Sequence, residues 1–368
     1  MKTGDDIMAE KIFPCRQCGA SVRYKAGTNS LLCPYCGTEN EISVDRSIAI
    51  EEQDFHEYLR HAASNADTVD HIVVTCQSCG AETTFDDNIV ASACPFCGTD
   101  IVAQQHSVKK LKPQSLLPFQ IDKETSAAQF KHWLASRWFI PDKVKRFARR
   151  GGVKGIYSPY WTYDAVTTTD YTGERGEYYY VTERYTAMES GRNVTKERVV
   201  RKTRWHPARG TVRNVFNDVI VAGSENIPKK LSDRLVPWDL ENLVPYTEEY
   251  LSGFLVESYT INVEHGFEDA RNKMEPTILA TIYEDIGGDE QRITRLNTQY
   301  ADVTFKHLLL PVWFGAYRFR EKVFQYIVNA RTGEVQGERP WSWVKITLAA
   351  LAGLLIAGGI YILQHTVH

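Results

Sequence analysis

All eight cysteines of this 368-residue chain lie in its first 103 residues, in two copies of one spacing. Cys15, Cys18, Cys33 and Cys36 form C-x2-C-x14-C-x2-C, and Cys76, Cys79, Cys94 and Cys97 repeat it. A CxxC pair sets two thiolates on one tight turn, and a second turn folding back onto it brings four sulfurs to one tetrahedral ion. The gap of 14 is one residue short of the usual range, a small change in hairpin length. The second knuckles read CPYCG and CPFCG, and the first end in Gly19 and Gly80. Glycine directly after the second ligand suits the φ > 0 turn that aims backbone N–H groups at sulfur.

Two matched sets with no cysteine left over argue against structural disulfides. Tetrahedral sulfur accepts zinc or iron; the expected metal is zinc, as two ions. Each site has four protein ligands and no place for water, which makes it structural and not catalytic. Metal binding and ribbon folding are then one event. Because the ribbons share little apolar sequence with the remainder, replacing Cys33 and Cys36 is expected to unfold ribbon one alone.

The chain divides into an N-terminal tail (1–10), zinc ribbon one (11–43), a connecting helix (44–70), zinc ribbon two (71–103), a central domain (104–340), a span (341–363) and a short tail (364–368). The fold class is α+β, with a central domain rich in antiparallel strands. Ile50, Phe55, Tyr58, Leu59 and Ala62 recur at helical spacing in the connector. Pro113 and Pro118 mark a linker, after which Asp122 can cap a helix with Ala127, Phe130, Leu134 and Trp138 on one face. Aromatic and β-branched runs at 156–165, 194–205 and 211–221 predict strands, broken by GERGE, by His206-Pro207 and by Gly210. A helix is expected over 266–286, with Pro276 inside it, followed by strands at 292–300, 304–320 and 322–329. Leu116-Leu117-Pro118-Phe119, a helix and then Tyr157-Ser158-Pro159-Tyr160-Trp161 echo Leu243-Val244-Pro245-Tyr246, a helix and then Leu310-Pro311-Val312-Trp313. The echo suggests two diverged halves.

Ile346–Leu363 is an 18-residue run without charge, about 27 Å long as a helix, close to the hydrocarbon thickness. Trp341 and Trp343 precede it and Tyr361 sits near its far end, as an aromatic belt requires. Arg339 and Lys345 lie on its N-terminal side, so the positive-inside rule puts the bulk of the protein in the cytoplasm, tail-anchored in the cell membrane by a single pass. The residues MKTGDDIMAEK lack the apolar core of a secretion signal, and thiols ready for metal fit a reducing compartment. Ala349, Gly353 and Ala357 make a small-xxx-small face that permits helix pairing, with a second copy or another membrane protein.

No P-loop, G-x-G-x-x-G, H-E-x-x-H or G-x-S-x-G is present, and no histidine pairs with a nucleophile, so an enzyme is not expected. The dense basic run 142–150 carries Lys143, Lys145, Arg146, Arg149 and Arg150 against Asp142, a candidate contact for anionic headgroups. Ribbons of this kind often bind nucleic acid. Ribbon two, however, holds Glu82, Asp86, Asp87 and Asp100 and no Lys or Arg, the wrong sign for phosphate, and the chain as a whole is −3. The expected work is therefore that of an adaptor, with nucleic-acid binding in replication or transcription as the alternative.

With KIFPCRQCGA, LLCPYCGTENEI, CQSCGAETTF, ACPFCGTDI, LLPFQIDKE, IYSPYWTYDA, VPWDLENLVPY and VNARTGEVQGERPWS in view, the chain resembles a bacterial family of double zinc-ribbon, tail-anchored membrane proteins. Members are often labelled primosomal-protein-N′-like or helicase-like and are linked to flotillin (SPFH)-type scaffolds. The resemblance covers nearly the whole chain. It implies an adaptor that recruits flotillin-like or phage-shock-like proteins to the bilayer, supports the eight cysteines as ligands and nominates no catalytic residue. The helicase label needs an ATP-binding motif that the sequence lacks.

Overall fold

The computed structural model describes residues 13–44, 49–61, 68–78, 80–83, 91–96, 99–102, 105–147, 153–189, 192–320 and 322–366. Ribbon one is a small antiparallel sheet of β1 (Arg23–Tyr24), β2 (Ser30–Leu32) and β3 (Glu39–Glu41). The connector holds β4 (Gln53–Asp54) and one short helix, α1 (Phe55–His61), which starts later than the periodicity predicts. Ribbon two contains β5 (Thr68–Thr75), β6 (Glu82–Thr83), β7 (Ala91–Ala93), β8 (Asp100–Val102) and β9 (Gln105–Leu111), paired as β6–β5–β9 and β7–β8.

The central domain opens with β10 (Ser115–Leu116), α2 (Lys123–Ala135) and α3 (Asp142–Phe147). Asp122 caps α2 as expected, its Oδ1 accepting from the Thr125 N–H at 2.8 Å. Two very long strands follow, β11 (Lys154–Glu189) and β12 (Arg192–Ala222). After α4 (Lys229–Ser232) come β13 (Val244–Pro245), β14 (Leu255–Val256) and α5 (Val263–Ile286), capped by Asn262 and stopped at Gly287, with Pro276 accommodated inside. The chain finishes with β15 (Glu290–Phe319), β16 (Lys322–Asn329), β17 (Val335–Gly337) and α6 (Trp343–Thr366). The result is a mixed α+β, strand-rich protein with one C-terminal apolar helix.

Here the structure corrects the strand boundaries. GERGE, Pro207 and Gly210 do not break the strands; all lie within continuous pairing of β11 with β12. Gly173 sits at a register shift against β15, where a Cβ would stand 2.1 Å from the Arg292 carbonyl oxygen, so glycine permits the close approach without ending the strand. Pro207 lies on β12, an edge strand, where a missing N–H faces away from the ladder. The expected breaks at 301–303 are a second bulge, between Asp164 and Val166 of β11.

β11 is paired on one edge with β12 and on the other with β15, to which it runs antiparallel from Lys154↔Phe314 to Gly176↔Glu290. Along its far edge β15 carries, in turn, β4, β10 in parallel, and β16. Within the echoing segments, Ser158 stands directly opposite Leu310 and Leu116 opposite Val244. Beyond Gly176 only the β11/β12 hairpin continues, for the thirteen pairs from Glu177↔Arg204 to Glu189↔Arg192. At about 3.3 Å per residue this two-stranded arm extends roughly 40 Å past the sheet.

Alternation along the strands gives the near end of the sheet two apolar faces, and each receives one ribbon. Tyr157, Leu309 and Trp313 point to the face where Cys15, Val22, Tyr24, Leu31, Cys33 and Ile42 of ribbon one pack, together with Phe119 and Phe130. Ile156, Tyr160, Leu308, Leu310, Val312 and Phe314 face Val74, Cys76, Ala81, Cys94 and Phe96 of ribbon two. Hydrogen bonds pin both: Tyr24 donates from its hydroxyl to the Phe119 carbonyl at 3.1 Å, and Gln325 donates from Nε2 to the Phe96 carbonyl at 2.7 Å. The ribbons thus clamp the sheet between them, so ribbon one shares more apolar packing with the central domain than its sequence suggests. Farther along, α5 lays Ala270, Met274, Ile278, Ile282 and Ile286 on Trp161, Tyr163, Ala165 and Tyr171.

Candidate metal centre

Ribbon one brings its four sulfurs together: all four Sγ atoms lie within 4.8 Å of one another, with Cys15–Cys36 and Cys18–Cys33 each at 3.6 Å. Four sulfurs at about 2.3 Å from a tetrahedral ion stand about 3.8 Å apart, so the donor set fits a zinc-sized cation. Local chain chemistry builds this. In each knuckle the first cysteine N–H donates to the carbonyl five residues on, Cys15 to Ala20 at 2.8 Å and Cys33 to Thr38 at 2.9 Å, while Gly19 and Gly37 donate back to Cys15 and Cys33. Both glycines have left-handed φ, +75° and +73°. The loops place polar partners at sulfur: the Gln17 N–H donates to Cys15 Sγ at 3.4 Å, and the Cys36 thiol donates to the Thr38 hydroxyl at 3.2 Å. The Thr38 side chain and backbone bring the Cys36 thiol down to about 6, ready to ionise toward a metal.

Spacing alone does not point to Asn40. It is buried on β3, its Oδ1 accepts from the Arg16 N–H at 3.0 Å, and its Nδ2 lies 3.9 Å from Cys15 Sγ, so it ties the two knuckles together. The corresponding position of ribbon two is Ile101, and no signal short of comparing the two copies singles the asparagine out.

In ribbon two, Cys76 and Cys94 are described and buried, while Cys79 and Cys97 lie outside the described residues. The described knuckle bonds repeat those of ribbon one: Cys76 N–H to Ala81 at 2.9 Å, Gly80 back to Cys76 at 2.8 Å, and Cys94 N–H to Thr99 at 2.8 Å, with Gly80 at φ +76°. The exposed Lys154 lies close enough to Cys94 for the two charges to interact. A cation there offsets the negative charge that four thiolates carry around a divalent ion.

One other acid-rich group is present among the described residues. Glu52, Asp164 and Asp218 bring carboxylate oxygens within 4.8 Å of one another. Lys306 already sits among them, its Nζ 2.9 Å from Glu52 and 2.7 Å from Asp218, so the group clips β4 to the bulged part of the sheet.

Of the basic run, Lys143 lies on α3; the side chains of Lys145 and Arg146, and all of Arg149 and Arg150, lie outside the described residues. Ala349, Gly353 and Ala357 are exposed on α6, and nothing lies within 4 Å of a Cβ built on Gly353. The window Trp343–Ile360 has mean hydropathy 1.9 and none of it is buried, so α6 is long and apolar enough to cross a membrane.

The whole chain is similar to a protein of Bacillus subtilis (strain 168) described as uncharacterized protein YdjG, 24% identical over 359 residues that make up 95% of each chain. No known family profile matches the chain, and no solved structure matches it.

Proposed function

We propose that this protein is a membrane-anchored zinc-ribbon adaptor, holding cytoplasmic proteins of the flotillin or phage-shock type at the inner face of the cell membrane. The observation that carries this reading is the separation of its two ends. β17 runs parallel to β15, toward the C-terminal end of that strand, and hands the chain to α6 there; the hairpin arm projects from the other end. From Lys154 to Glu189, β11 covers roughly 115 Å at about 3.3 Å per residue. An anchor at one pole and a long two-stranded arm at the other suit a protein that presents partners away from the bilayer.

In this reading both cysteine sets hold zinc, and the ions are structural. α6 spans the membrane once, with Arg339 and Lys345 on the cytoplasmic side, and pairs through Ala349, Gly353 and Ala357. The reading assigns no catalytic step to any residue. The nucleic-acid alternative draws on one observation, the six cations of β12 from Arg192 to Arg204 against Glu197 alone. Most of that charge is engaged within the arm: Arg184 pairs with Glu197, Arg198 and Lys202 pair with Glu183, and Arg201 and Arg204 stack on Tyr178 and Tyr179. The adaptor is favoured for that reason.

The test is mass spectrometry of proteins recovered with the detergent-solubilised full chain after nuclease treatment, beside a chain ended before Trp341. Membrane-associated scaffold proteins recovered only with the full chain are the expected outcome. Replication or transcription proteins recovered equally with both chains would overturn the adaptor.

A further inference from the structure

We infer that the corner joining α2 to α3 rests in the headgroup layer of the membrane, with Trp138 as an interfacial anchor separate from the spanning helix. The inference rests on the reading of α6 as a span. The sequence pattern puts Trp138 on the buried face of a helix with Phe130 and Leu134, but α2 ends at Ala135, and the indole, released from that face, is 76% exposed. An exposed tryptophan has an apolar body and one N–H donor, the combination that is enriched where hydrocarbon meets water.

The corner is fastened to the start of α6. The Ser342 N–H donates to the Phe139 carbonyl at 2.8 Å, and the Lys345 ammonium reaches the Ile140 carbonyl at 3.1 Å and Asp142 at 2.7 Å. The Phe139 and Trp341 rings lie 6.5 Å apart. Depth follows from this register. The uncharged run of α6 begins at Ile346, four residues past Ser342, or about 6 Å along a helix axis. Phe139 is therefore level with the headgroups whenever α6 spans, and Trp138 is its chain neighbour. Trp341 and Trp343, 54% and 75% exposed, mark the same depth on the other side of the contact.

The charge around the corner has the sign that anionic lipid attracts. Arg137 and Arg339 lie close enough to repel each other, and Lys143 opens α3. The acid in the corner, Asp142, is taken by Lys345. Cations held at this depth are drawn toward an anionic surface.

The experiment uses the full chain in nanodiscs of phosphatidylcholine with phosphatidylglycerol, prepared with ordinary lipid and with lipid brominated near the top of the acyl chain. The emission of Trp138 is read as the difference between wild type and Trp138→Phe. Expected is a loss of about half of that difference in the brominated discs, as for a belt tryptophan. If the difference is unchanged by bromine while the protein resists alkaline extraction, the corner stands off the bilayer, faces a protein partner instead, and this inference fails alone. If alkali extracts the protein, α6 is not a span and both readings fail.

Discussion

Glu257 is the buried group whose chemistry is most exposed to test. It follows β14 and is 1% exposed, and it accepts from Ser158 Oγ at 2.7 Å, from Asn226 Nδ2 at 2.8 Å and from Ser224 Oγ. Burial pushes its carboxyl up, against the pull of those three donors. A raised native value means that, as pH climbs past the ordinary carboxyl range of about 4 toward that value, the unfolded chain sheds a proton the native chain keeps. Stability therefore falls with rising pH through this window. Glu257→Gln can keep the contacts, with Oε1 facing Ser224 and Asn226 and Nε2 donating to Ser158, and it has no proton to lose. Melts of the variant and the wild type should diverge in the variant's favour as pH rises from 4 to 8, whereas parallel profiles would mean an ordinary, ionised carboxylate. Glu257→Ala leaves buried donors without a partner and should cost about 2 kcal/mol in a denaturant titration. Gly315 is a second single-atom dependence. A Cβ there would stand 2.2 Å from the Tyr326 ring, which is itself stacked on Phe130 at 3.4 Å, so Gly315→Ala should cost about 1–3 kcal/mol in the same assay.

Among the elements, the ribbons bind the metal argument to the whole fold. Cys33 is 1% exposed within the cluster that includes Phe119, Tyr157 and Trp313, so opening its site uncovers one face of the central sheet. Cys33→Ser with Cys36→Ser should lower the cooperative melt of the entire domain, read by amide exchange at Tyr157 and Leu309, and should halve the zinc found by elemental analysis. Protection retained there would show that sheet and ribbon are separate units. The cysteine spacing made the first four-sulfur cluster legible because four ligands for one ion leave little freedom in a turn. The docking of the ribbons was not legible, since Val22, Tyr24 and Val74 read as ordinary interior residues of small domains. Strand length escaped for a related reason. Gly173 and Pro207 punctuate most chains, but a bulge and an edge strand absorb them here, and only pairing partners far along the sequence reveal that. Trp138 matched the helical period of Phe130 and Leu134, yet period says nothing about where the helix stops.

At the scale of the molecule, the arm is the part whose size folding does not explain. Among the described residues of 180–201 none belongs to a buried core cluster, and Tyr180, Met188 and Val199 are exposed by 68%, 77% and 69%. An exposed ribbon of this length with apolar side chains on it is a hazard for aggregation unless its cations guard the edge or a partner covers it. The cross-strand ion pairs and stacks supply the guard, and under the proposed adaptor function the exposed apolar residues are the surface a partner would cover. Tyr179 and Lys202 face each other directly, so an Asn-Gly turn can join them and remove 180–201 while keeping the bonds of Tyr178 to Asp289 and Glu290. The shortened chain should melt within about 1 kcal/mol of wild type, because exposed residues away from the core contribute little. It should also fractionate with membranes as before, since α6 lies beyond the opposite end of the sheet, roughly 80 Å from the cut. What it should lose is the set of proteins recovered with the full chain. If those proteins still co-purify, the partner surface lies on the ribbons or on α6, and the arm has some use other than holding them.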